Sequence, residues 1–304
     1  METNFDCIVI GAGPAGLSAA LNLRQRGKTV LVVHSGETLL AKAEQVDNYL
    51  GMPGLSGKQM MERFTQHARD AGAVLRKGRA GNVMPFGGRF MVNLDGDILE
   101  TGAVVLACGV SKARPVPGEA ELLGRGVSYC ATCDGMLYRG KTVVVVGGGN
   151  SAAEDALFLS RVCKKVYLVH RGAVLTASKS YWTALQKAEN VEFIWNSRVV
   201  ELLYGSVVTG VVLEGVESGN RSELACDGVF IAVGRIPNTG LFHGVLEMDA
   251  AGYLIADETT RTALPGVFAV GDVRTKPLRQ IITAAADGAV ASKYAEAYLA
   301  EQED

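Results

Sequence analysis

Two cysteines three positions apart have the clearest chemistry in this sequence. They occur in the segment Cys130-Ala131-Thr132-Cys133-Asp134-Gly135. Two thiols at this spacing can close a small disulfide that is readily reduced, and a place in the first turn of a helix lowers the pKa of a thiol. Asp134 could supply or accept the proton that thiol exchange requires. The motif therefore predicts a redox-active disulfide between Cys130 and Cys133, with Asp134 as the acid/base.

Half of a zinc site is the alternative for such a pair. A structural zinc needs four ligands, and the sequence contains no second Cys-x-x-Cys and no Cys-x-x-His. Cys7, Cys163 and Cys226 stand alone in or beside apolar segments, where cysteine usually acts as a small core hydrophobe. We therefore expect these three to be buried and free.

A glycine-rich motif follows the first apolar run, Ile8-Val9-Ile10, and leads into a helix-like stretch and a second apolar run. In this context Gly-x-Gly-x-x-Gly is a dinucleotide fingerprint, in which successive glycines make the turn, admit the pyrophosphate and allow helix packing. His34 ends the second run, where an acid usually binds the ribose, so it is either a weak hydrogen-bond partner or a solvated histidine. The predicted binding residues are Gly11, Gly13, Pro14, Ala15 and Gly16.

The same pattern recurs after Val144-Val145-Val146, in the variant that ends in alanine. Its second apolar run ends in His170-Arg171. A cation there suits the 2′-phosphate of NADPH, although a solvated surface charge is an equally fair interpretation. The residues predicted to bind a second nucleotide are Gly147, Gly149, Asn150, Ser151, Ala152, His170 and Arg171.

The elements that position these motifs form two strand-helix-strand units. A further apolar run closes each unit, at 104–109 and 229–234, and a Pro- and Gly-containing linker follows each closing run. The region after about 240 has no glycine-rich turn of its own, so we expect it to complete the first domain. The predicted fold is α/β, with two Rossmann-like domains, each a three-layer ββα arrangement: a first domain of residues 1–114 and 241–304, and an inserted domain, 115–240, that carries the cysteine pair. Gly87-Gly88 predicts a tight hairpin, and 280–299 predicts a final helix.

Composition excludes several classes of partner. The 304 residues include 30 basic and 32 acidic side chains, so no bulk charge favours nucleic acid or a membrane surface. No apolar run approaches the roughly 18 residues that span a bilayer. The start of the chain lacks the pattern of a secretory signal, and we expect a cytoplasmic protein.

Together these motifs resemble low-molecular-weight bacterial thioredoxin reductase over essentially the full chain. Further matching stretches are 46–51, Phe268-Ala269-Val270-Gly271-Asp272 and Arg279-Gln280-Ile281. The resemblance implies a homodimer that reduces a thioredoxin-like protein, with Cys133 as the flavin-side thiol and Cys130 as the thiol that attacks the substrate. It also implies that the first glycine motif holds FAD, with Asp272 on the ribityl chain and 279–281 near the isoalloxazine. The predicted FAD site comprises the first glycine motif with Asn48, Gly109, Gly271, Asp272, Arg279, Gln280 and Ile281.

The electron donor is the point at which the chain departs from that family. The family's NADPH signature is His-Arg-Arg followed by three residues and another Arg, whereas here Gly172 and Thr176 replace two of the three arginines. Losing two charged donors costs roughly 1.5–3 kcal/mol for each bond. The chain is also similar to two relatives that do not use pyridine nucleotides: the ferredoxin-dependent flavin thioredoxin reductase, and the diflavin-linked disulfide oxidoreductase, whose second FAD occupies the NADPH site. Tyr181 and Trp182 could equally stack on a flavin or pack in the core, whereas core packing is favoured for Trp195.

The leading hypothesis is a flavoprotein that moves electrons from FAD to Cys130–Cys133 and on to a protein disulfide, with a second FAD in the nucleotide site. A conventional NADPH-dependent or a ferredoxin-dependent thioredoxin reductase is the nearest alternative. An NADH- or NADPH-dependent oxidase or ferredoxin reductase would need no cysteine pair. A redox-sensing flavoprotein is the hypothesis from another class.

Overall fold

A computed structural model describes residues 4–36, 38–112 and 116–302. The chain divides into two compact units. Unit 1 comprises Met1–Lys42, Tyr49–Ser111 and Ile236–Asp304, and unit 2 comprises Ala43–Asn48 and Lys112–Arg235. Unit 2 thus contains a six-residue segment that is distant in sequence from the rest of it.

Unit 1 is built on a seven-stranded sheet. Its strands are β1 Asn4–Ile10, β2 Val30–His34, β3 Val74–Lys77, β4 Ala80–Phe86, β5 Arg89–Leu94, β6 Asp97–Leu106 and β17 Val267–Ala269. The order is β3-β2-β1-β6-β5-β4, with β17 also on β6. The pairs among β1, β2, β3, β6 and β17 are parallel, whereas β4, β5 and β6 pair in antiparallel fashion.

Within the described residues, three α-helices complete unit 1: α1 Pro14–Gln25, α2 Gly57–Asp70 and α6 Ile281–Glu301. Alternate residues of β1 face two different layers, as the period of a strand dictates. Cys7 and Val9 pack with the helices, whereas Ile8 and Ile10 pack with side chains of β4 and β5. This arrangement is the three-layer ββα architecture that the sequence predicts.

The hairpin and the final helix are confirmed. Gly87 and Gly88 alone connect β4 to β5, and both have positive φ values, 58° and 80°. Two successive residues with positive φ form the turn that matches the twist of a hairpin. The predicted final helix is α6.

Unit 2 contains a parallel sheet and a separate antiparallel sheet. The parallel sheet has the order β11-β10-β9-β15-β8, and the antiparallel sheet has the order β12-β13-β14. Its strands are β8 Val127–Ser128, β9 Thr142–Val146, β10 Lys165–Val169, β11 Val191–Ile194, β12 Ser197–Tyr204, β13 Val208–Gly215, β14 Arg221–Ala225 and β15 Gly228–Ile231, and its helices are α3 Ala131–Asp134, α4 Asn150–Ser160 and α5 Lys179–Leu185. The short strands β7 Val110–Lys112 and β16 Arg235–Pro237 pair with each other.

The layers of unit 2 repeat those of unit 1. Val144 and Val146 of β9 pack with side chains of β12 and β13, whereas Val143 and Val145 pack with those of α4. The two predicted strand-helix-strand units are therefore present, each with parallel strands. The predicted α/β fold with two Rossmann-like units is confirmed.

The isolated cysteines Cys7, Cys163 and Cys226 are free and buried, as expected. No helix within the described ranges is long and apolar enough to cross a membrane.

Candidate functional site

The predicted disulfide is present in unit 2. Cys130 and Cys133 are bonded, with their Cα atoms 5.3 Å apart. Cys130 is the N-cap of α3, and its sulfur accepts a hydrogen bond of 3.2 Å from the Cys133 N–H. Both cysteines are half-buried, so the pair lies at the surface of the unit. This placement allows another molecule to reach the sulfur atoms.

Asp134 directly follows the pair and is half-buried. The buried Ser128 hydroxyl donates a hydrogen bond of 2.6 Å to Asp134 Oδ2. Burial raises the pKa of Asp134, the Ser128 hydrogen bond opposes this, and the negative charges of Asp47 and Glu44 raise it further. A carboxyl group with a raised pKa keeps its proton to higher pH, which suits an acid in thiol exchange.

The segment Ala43–Asn48 supplies the neighbours that sequence reasoning missed. It brings Glu44 and Asp47 into the electrostatic environment of Asp134, and it places Asn48 Nδ2 3.6 Å from Cys133 Sγ. Asn48, predicted for the FAD site, therefore lies in unit 2 against the thiol pair. The stretch 46–51 matched a known motif, but nothing local in the sequence assigned its acids to the cysteines.

The first glycine motif forms the expected turn in unit 1. Gly11 has a φ of 116°, and Gly13 is the N-cap of α1, with Pro14 as the first helical residue. A Cβ atom on Gly13 would meet no heavy atom within 4 Å among the described residues, whereas one on Gly16 would overlap the Gly11 carbonyl oxygen. The turn therefore leaves open space in front of a helix N-terminus, which fits the pyrophosphate of FAD.

A second loop of unit 1 is fixed by buried charges. Gly271 donates its N–H to Asp287 Oδ2 at 2.8 Å, and Asp287 also binds Arg274 through both of its oxygens and Lys276 Nζ at 2.8 Å. The three charged side chains are each less than a tenth exposed. Burial opposes ionisation, but the hydrogen bonds from Arg274 and Lys276 hold the pKa of Asp287 below its usual value. Sequence analysis missed this network, which fixes the position of Gly271 and Asp272.

Arg279, Gln280 and Ile281 lie at the start of α6, close to that loop. Arg279 Nε donates to the Asp272 carbonyl oxygen at 3.3 Å, and its guanidinium lies 4.0 Å from the centre of the Tyr253 ring. Gln280 is the N-cap of α6, and its N–H donates to Thr283 Oγ1. Thus the structure groups most residues of the predicted FAD site in one unit.

Gly109 and Ala15, two further residues of the predicted FAD site, also lie in unit 1. Gly109 follows β6 with a φ of 62°, and its carbonyl oxygen accepts the Asn238 N–H at 3.0 Å. A Cβ on Gly271 would lie 2.9 Å from the Ala15 Cβ, so the loop at Gly271 lies directly against the start of α1. The residues present therefore fit FAD.

The second glycine motif forms a similar turn in unit 2. Gly147 has a φ of 151°, and Gly149 is the N-cap of α4, with Ala152 buried behind it. The backbone N–H and the hydroxyl of Thr176 both donate to the Gly148 carbonyl oxygen, at 2.8 and 3.1 Å. The Ser178 N–H donates to Asn150 Oδ1 at 2.8 Å, and Ser151 is exposed.

The residues that replace two of the family's phosphate-binding arginines, Gly172 and Thr176, make other contacts here. Thr176 hydrogen-bonds the turn itself, and a Cβ on Gly172 would lie 3.0 Å from His170 Nε2. Burial lowers the pKa of His170, so its ring is neutral at pH 7. Arg171 is exposed. It is the one cation that the sequence retains from that signature.

Aromatic side chains cluster near His170. Phe193 and Trp195 stack with their ring centres 5.0 Å apart, and Trp182 lies 5.1 Å from Phe193 and 5.9 Å from Trp195. The His170 ring meets Trp195 edge-on at 6.3 Å. Tyr181, Trp182, Phe193 and Trp195 are all half-buried, and Tyr181 and Phe193 also pack against the core of the unit. The cluster offers a partly exposed aromatic surface beside the glycine turn.

Comparisons with known proteins agree with this geometry. Residues 5–288 match the family model described as pyridine nucleotide-disulphide oxidoreductase. The chain is 38% identical over 305 residues to thioredoxin reductase of Treponema pallidum, covering 98% of each chain. It is 41% identical over 307 residues to the bifunctional thioredoxin reductase/thioredoxin of Mycobacterium leprae, covering 99% of this chain and 67% of that protein. Thioredoxin reductase from Streptococcus pyogenes has a similar structure, with a TM-score of 0.92 at 36% identity, covering 99% of this chain and all of the other.

Proposed function

The chain belongs to the pyridine nucleotide-disulphide oxidoreductase family, and from this premise we propose a specific path for its electrons. FAD held by unit 1 would supply two electrons to the Cys130–Cys133 disulfide, and the resulting dithiol would reduce a disulfide of a thioredoxin-like protein. The observation that carries this proposal is the disulfide at the surface of unit 2, with the Asp134 carboxyl beside it.

Bound FAD supplies the two electrons, and the residues of unit 1 bind and orient it. Gly11, Gly13 and Gly16 would accommodate its pyrophosphate, and the loop held by Asp287 would place Asp272 for the ribityl chain. Because Asp287 accepts the Gly271 N–H, the buried ion network holds the loop that carries Asp272.

The thiol step transfers two electrons by two exchanges. The Cys130 thiolate attacks one sulfur of the substrate disulfide, that bond breaks, and the departing thiolate takes a proton from Asp134. The Cys133 thiol passes its proton to the Asp134 carboxylate, and its sulfur attacks Cys130 in the mixed disulfide, so the second substrate sulfur departs as a thiolate and takes that proton. The substrate then leaves as a dithiol, and the Cys130–Cys133 bond is restored.

A protein substrate is supported by the side chains that follow the pair. Met136 and Leu137 are 52% and 62% exposed, directly after the turn that holds the disulfide. Exposed apolar side chains next to a reactive group favour contact with a macromolecule. A single chain in Mycobacterium leprae is named as both thioredoxin reductase and thioredoxin, which supports a thioredoxin-like partner here.

The nucleotide site of unit 2 is proposed to hold a second FAD. Three features support this proposal: the glycine turn is intact, Gly172 and Thr176 offer no charge to a 2′-phosphate, and an aromatic surface lies beside His170. FAD has no 2′-phosphate, and its flavin ring stacks well on indole rings. Trp182 would then contact the ring.

The test is a flavin count on the purified chain, followed by anaerobic titration with NADPH. We expect two FAD per chain and no prompt bleaching of the flavin by one equivalent of NADPH. One FAD per chain, with rapid stoichiometric bleaching, would refute the second-FAD proposal and support a conventional NADPH-dependent enzyme, which Arg171 and the intact turn favour. One FAD without bleaching, but with reduction by a reduced ferredoxin, would instead identify a ferredoxin-dependent reductase.

Two further measurements test the thiol part of the path. Cys130→Ser is expected to abolish reduction of thioredoxin disulfide, and full turnover by that variant would favour an oxidase or a ferredoxin reductase. Reversible disulfide formation without reduction of any thioredoxin would point to a redox-sensing flavoprotein. Sedimentation of the holoenzyme tests the homodimer that the resemblance implies.

A further inference from the structure

The two sulfur atoms of the disulfide have different hydrogen-bond donors. Cys130 Sγ accepts the Cys133 N–H at 3.2 Å and lies 3.4 Å from Thr132 Oγ1. Cys133 Sγ accepts a hydrogen bond from the side-chain amide of Asn48, whose Nδ2 lies 3.6 Å away. A donated hydrogen bond stabilises a thiolate more than the neutral thiol, because the acceptor is then charged. The Asn48 amide can therefore act on the ionisation of one cysteine of the pair without acting on the other.

The segment Ala43–Asn48 is anchored in unit 2 before it reaches the sulfur. The Glu44 side chain lies against the backbone of Gly124, where a Cβ would meet Glu44 Cγ at 2.3 Å. Val46 is buried, with 5% of its surface exposed. These two contacts hold the backbone that carries Asn48, so its amide is presented to Cys133 by a fixed segment.

Ionisation of Cys133 matters in the second exchange of the thiol step. In that exchange the Cys133 sulfur attacks Cys130 in the mixed disulfide, and the attacking species is the thiolate. A hydrogen bond to this thiolate makes each ion a weaker nucleophile but increases the number of ions present. Below the midpoint of ionisation the second effect is larger, since nucleophilicity changes by only about 0.4–0.5 of the change in basicity.

We propose that Asn48 is a catalytic residue of the thiol step: its amide donates a hydrogen bond to the Cys133 thiolate and so increases the thiolate fraction of that residue. The amide neither gains nor loses a proton, and the proton of Cys133 still passes to Asp134. The inference rests on the proposed thiol exchange. It is independent of how many FAD molecules bind and of whether NADPH or ferredoxin supplies the electrons.

The test measures alkylation of Cys133 by iodoacetamide in the holoenzyme across pH 6–10.5. A Cys130→Ser background prevents the disulfide from forming, and mass spectrometry of the Cys133 peptide separates it from the other cysteines. In that background Asn48→Ala should move the midpoint of the rate profile upward by about one pH unit. Alkylation should be about threefold slower below the midpoint and about threefold faster on the alkaline plateau, so the two profiles cross. A change in access to the sulfur would instead alter the rate by one factor at every pH.

Two controls separate the amide from its neighbours. Gln45→Ala removes an exposed amide of the same segment whose Nε2 bonds Asp47 at 2.7 Å and not the sulfur, so it should keep the profile of its parent. Asn48→Ala is also measured with Asp134→Asn present. The upward shift should persist there, because a neutral amide acts on the sulfur directly and not through the ionisation of Asp134.

Three outcomes would overturn the proposal: an unchanged profile in Asn48→Ala, a rate altered by the same factor at every pH, or loss of the shift when Asp134 is replaced. Added FAD keeps the flavin content of all variants equal, as checked by absorbance. If Asn48→Ala does not fold, Asn48→Ser, which also lacks the amide, decides by the same criteria. Failure of the wild-type protein to reduce any thioredoxin would contradict the proposed function but would leave this measurement intact.

Discussion

The hydroxyl of Ser128 donates a hydrogen bond of 2.6 Å to Oδ2 of Asp134 and so joins the strand before the cysteine pair to the carboxyl group after it. The Ser128 hydroxyl oxygen also accepts a hydrogen bond from the Cys130 N–H at 3.1 Å. Ser128 is almost fully buried, so water does not compete for these bonds. One side chain thereby holds the acid and the first cysteine in a fixed relation.

Removing that hydroxyl should move the pH dependence of thiol exchange. The Ser128 hydrogen bond lowers the pKa of Asp134, against the larger effect of burial. In Ser128→Ala the pKa rises further, so Asp134 stays protonated to higher pH. The rate of disulfide reduction by the pre-reduced enzyme, measured by stopped flow, falls as Asp134 loses its proton. In Ser128→Ala this fall should occur at a pH about one unit higher.

Asp134→Asn is the companion variant for that experiment. It should remove the limb assigned to Asp134 and slow the exchange by at least about 10²-fold, the usual contribution of a positioned acid. A limb that stays in place in Ser128→Ala would contradict the role given to this hydrogen bond.

Asp287→Ala should destabilise unit 1 strongly. It would leave the Arg274 and Lys276 side chains, which are 5% and 4% exposed, without their carboxylate. Breaking a buried pair from one side costs about 3–5 kcal/mol. Urea unfolding of the apoprotein measures the decrease in unfolding free energy. Asp70→Ala, on the exposed face of α2, is the control and should change that free energy little.

The same network predicts a direction for acid unfolding. Because the pKa of Asp287 is lowered in the folded state, its stabilising contribution is complete above the ordinary pKa of an aspartate. The contribution is lost as the pH falls through the lowered value. The difference in unfolding free energy between the wild-type protein and Asp287→Ala should therefore shrink only at acidic pH, and a difference that shrinks toward neutral pH would contradict the assignment.

Gly13→Ala should separate cofactor binding from folding. Gly13 has φ and ψ values of −78° and −179°, which alanine adopts without strain, and the new Cβ would occupy open space in front of α1. We expect unchanged unfolding of the apoprotein and FAD binding weakened at least about tenfold, by overpacking against the pyrophosphate. Flavin fluorescence measures the affinity. Gly205→Ala, at another uncrowded turn, should change neither quantity, and unaltered FAD affinity in Gly13→Ala would argue against this site.

In the FAD-free protein, in which the second nucleotide site is open, Thr176→Arg should improve binding of NADPH but not of NADH. The substitution places a cation beside the second glycine turn, where Thr176 now bonds the Gly148 carbonyl oxygen. One charge-assisted hydrogen bond to the 2′-phosphate is worth about 1.5–3 kcal/mol, which is roughly a tenfold gain or more. Binding of each nucleotide is measured by quenching of tryptophan fluorescence. Thr176→Gln controls for size, and an equal gain for NADH would show that the phosphate is not the group recognised.

The sequence alone determined the fold class, the two glycine turns and the cysteine pair. These features are local: a buried apolar run, a glycine turn and a helix follow one another within about 30 residues, and their periodicity sets which face of each strand is buried. The Gly87-Gly88 hairpin could be predicted for the same reason, since two successive residues with positive φ define the turn.

Only the tertiary structure decided which charged groups surround the thiols and the loop at Gly271. The sequence does not indicate that the Ser128 hydroxyl bonds both Asp134 and the Cys130 N–H. The sequence does not indicate that residues 43–48 belong to the same unit as residues 112–235. It also does not indicate that Arg274 donates hydrogen bonds to Asp287. These contacts join residues far apart in the chain, and they exist because parallel strands bring distant loops to one edge of a sheet and helix packing selects one face for burial.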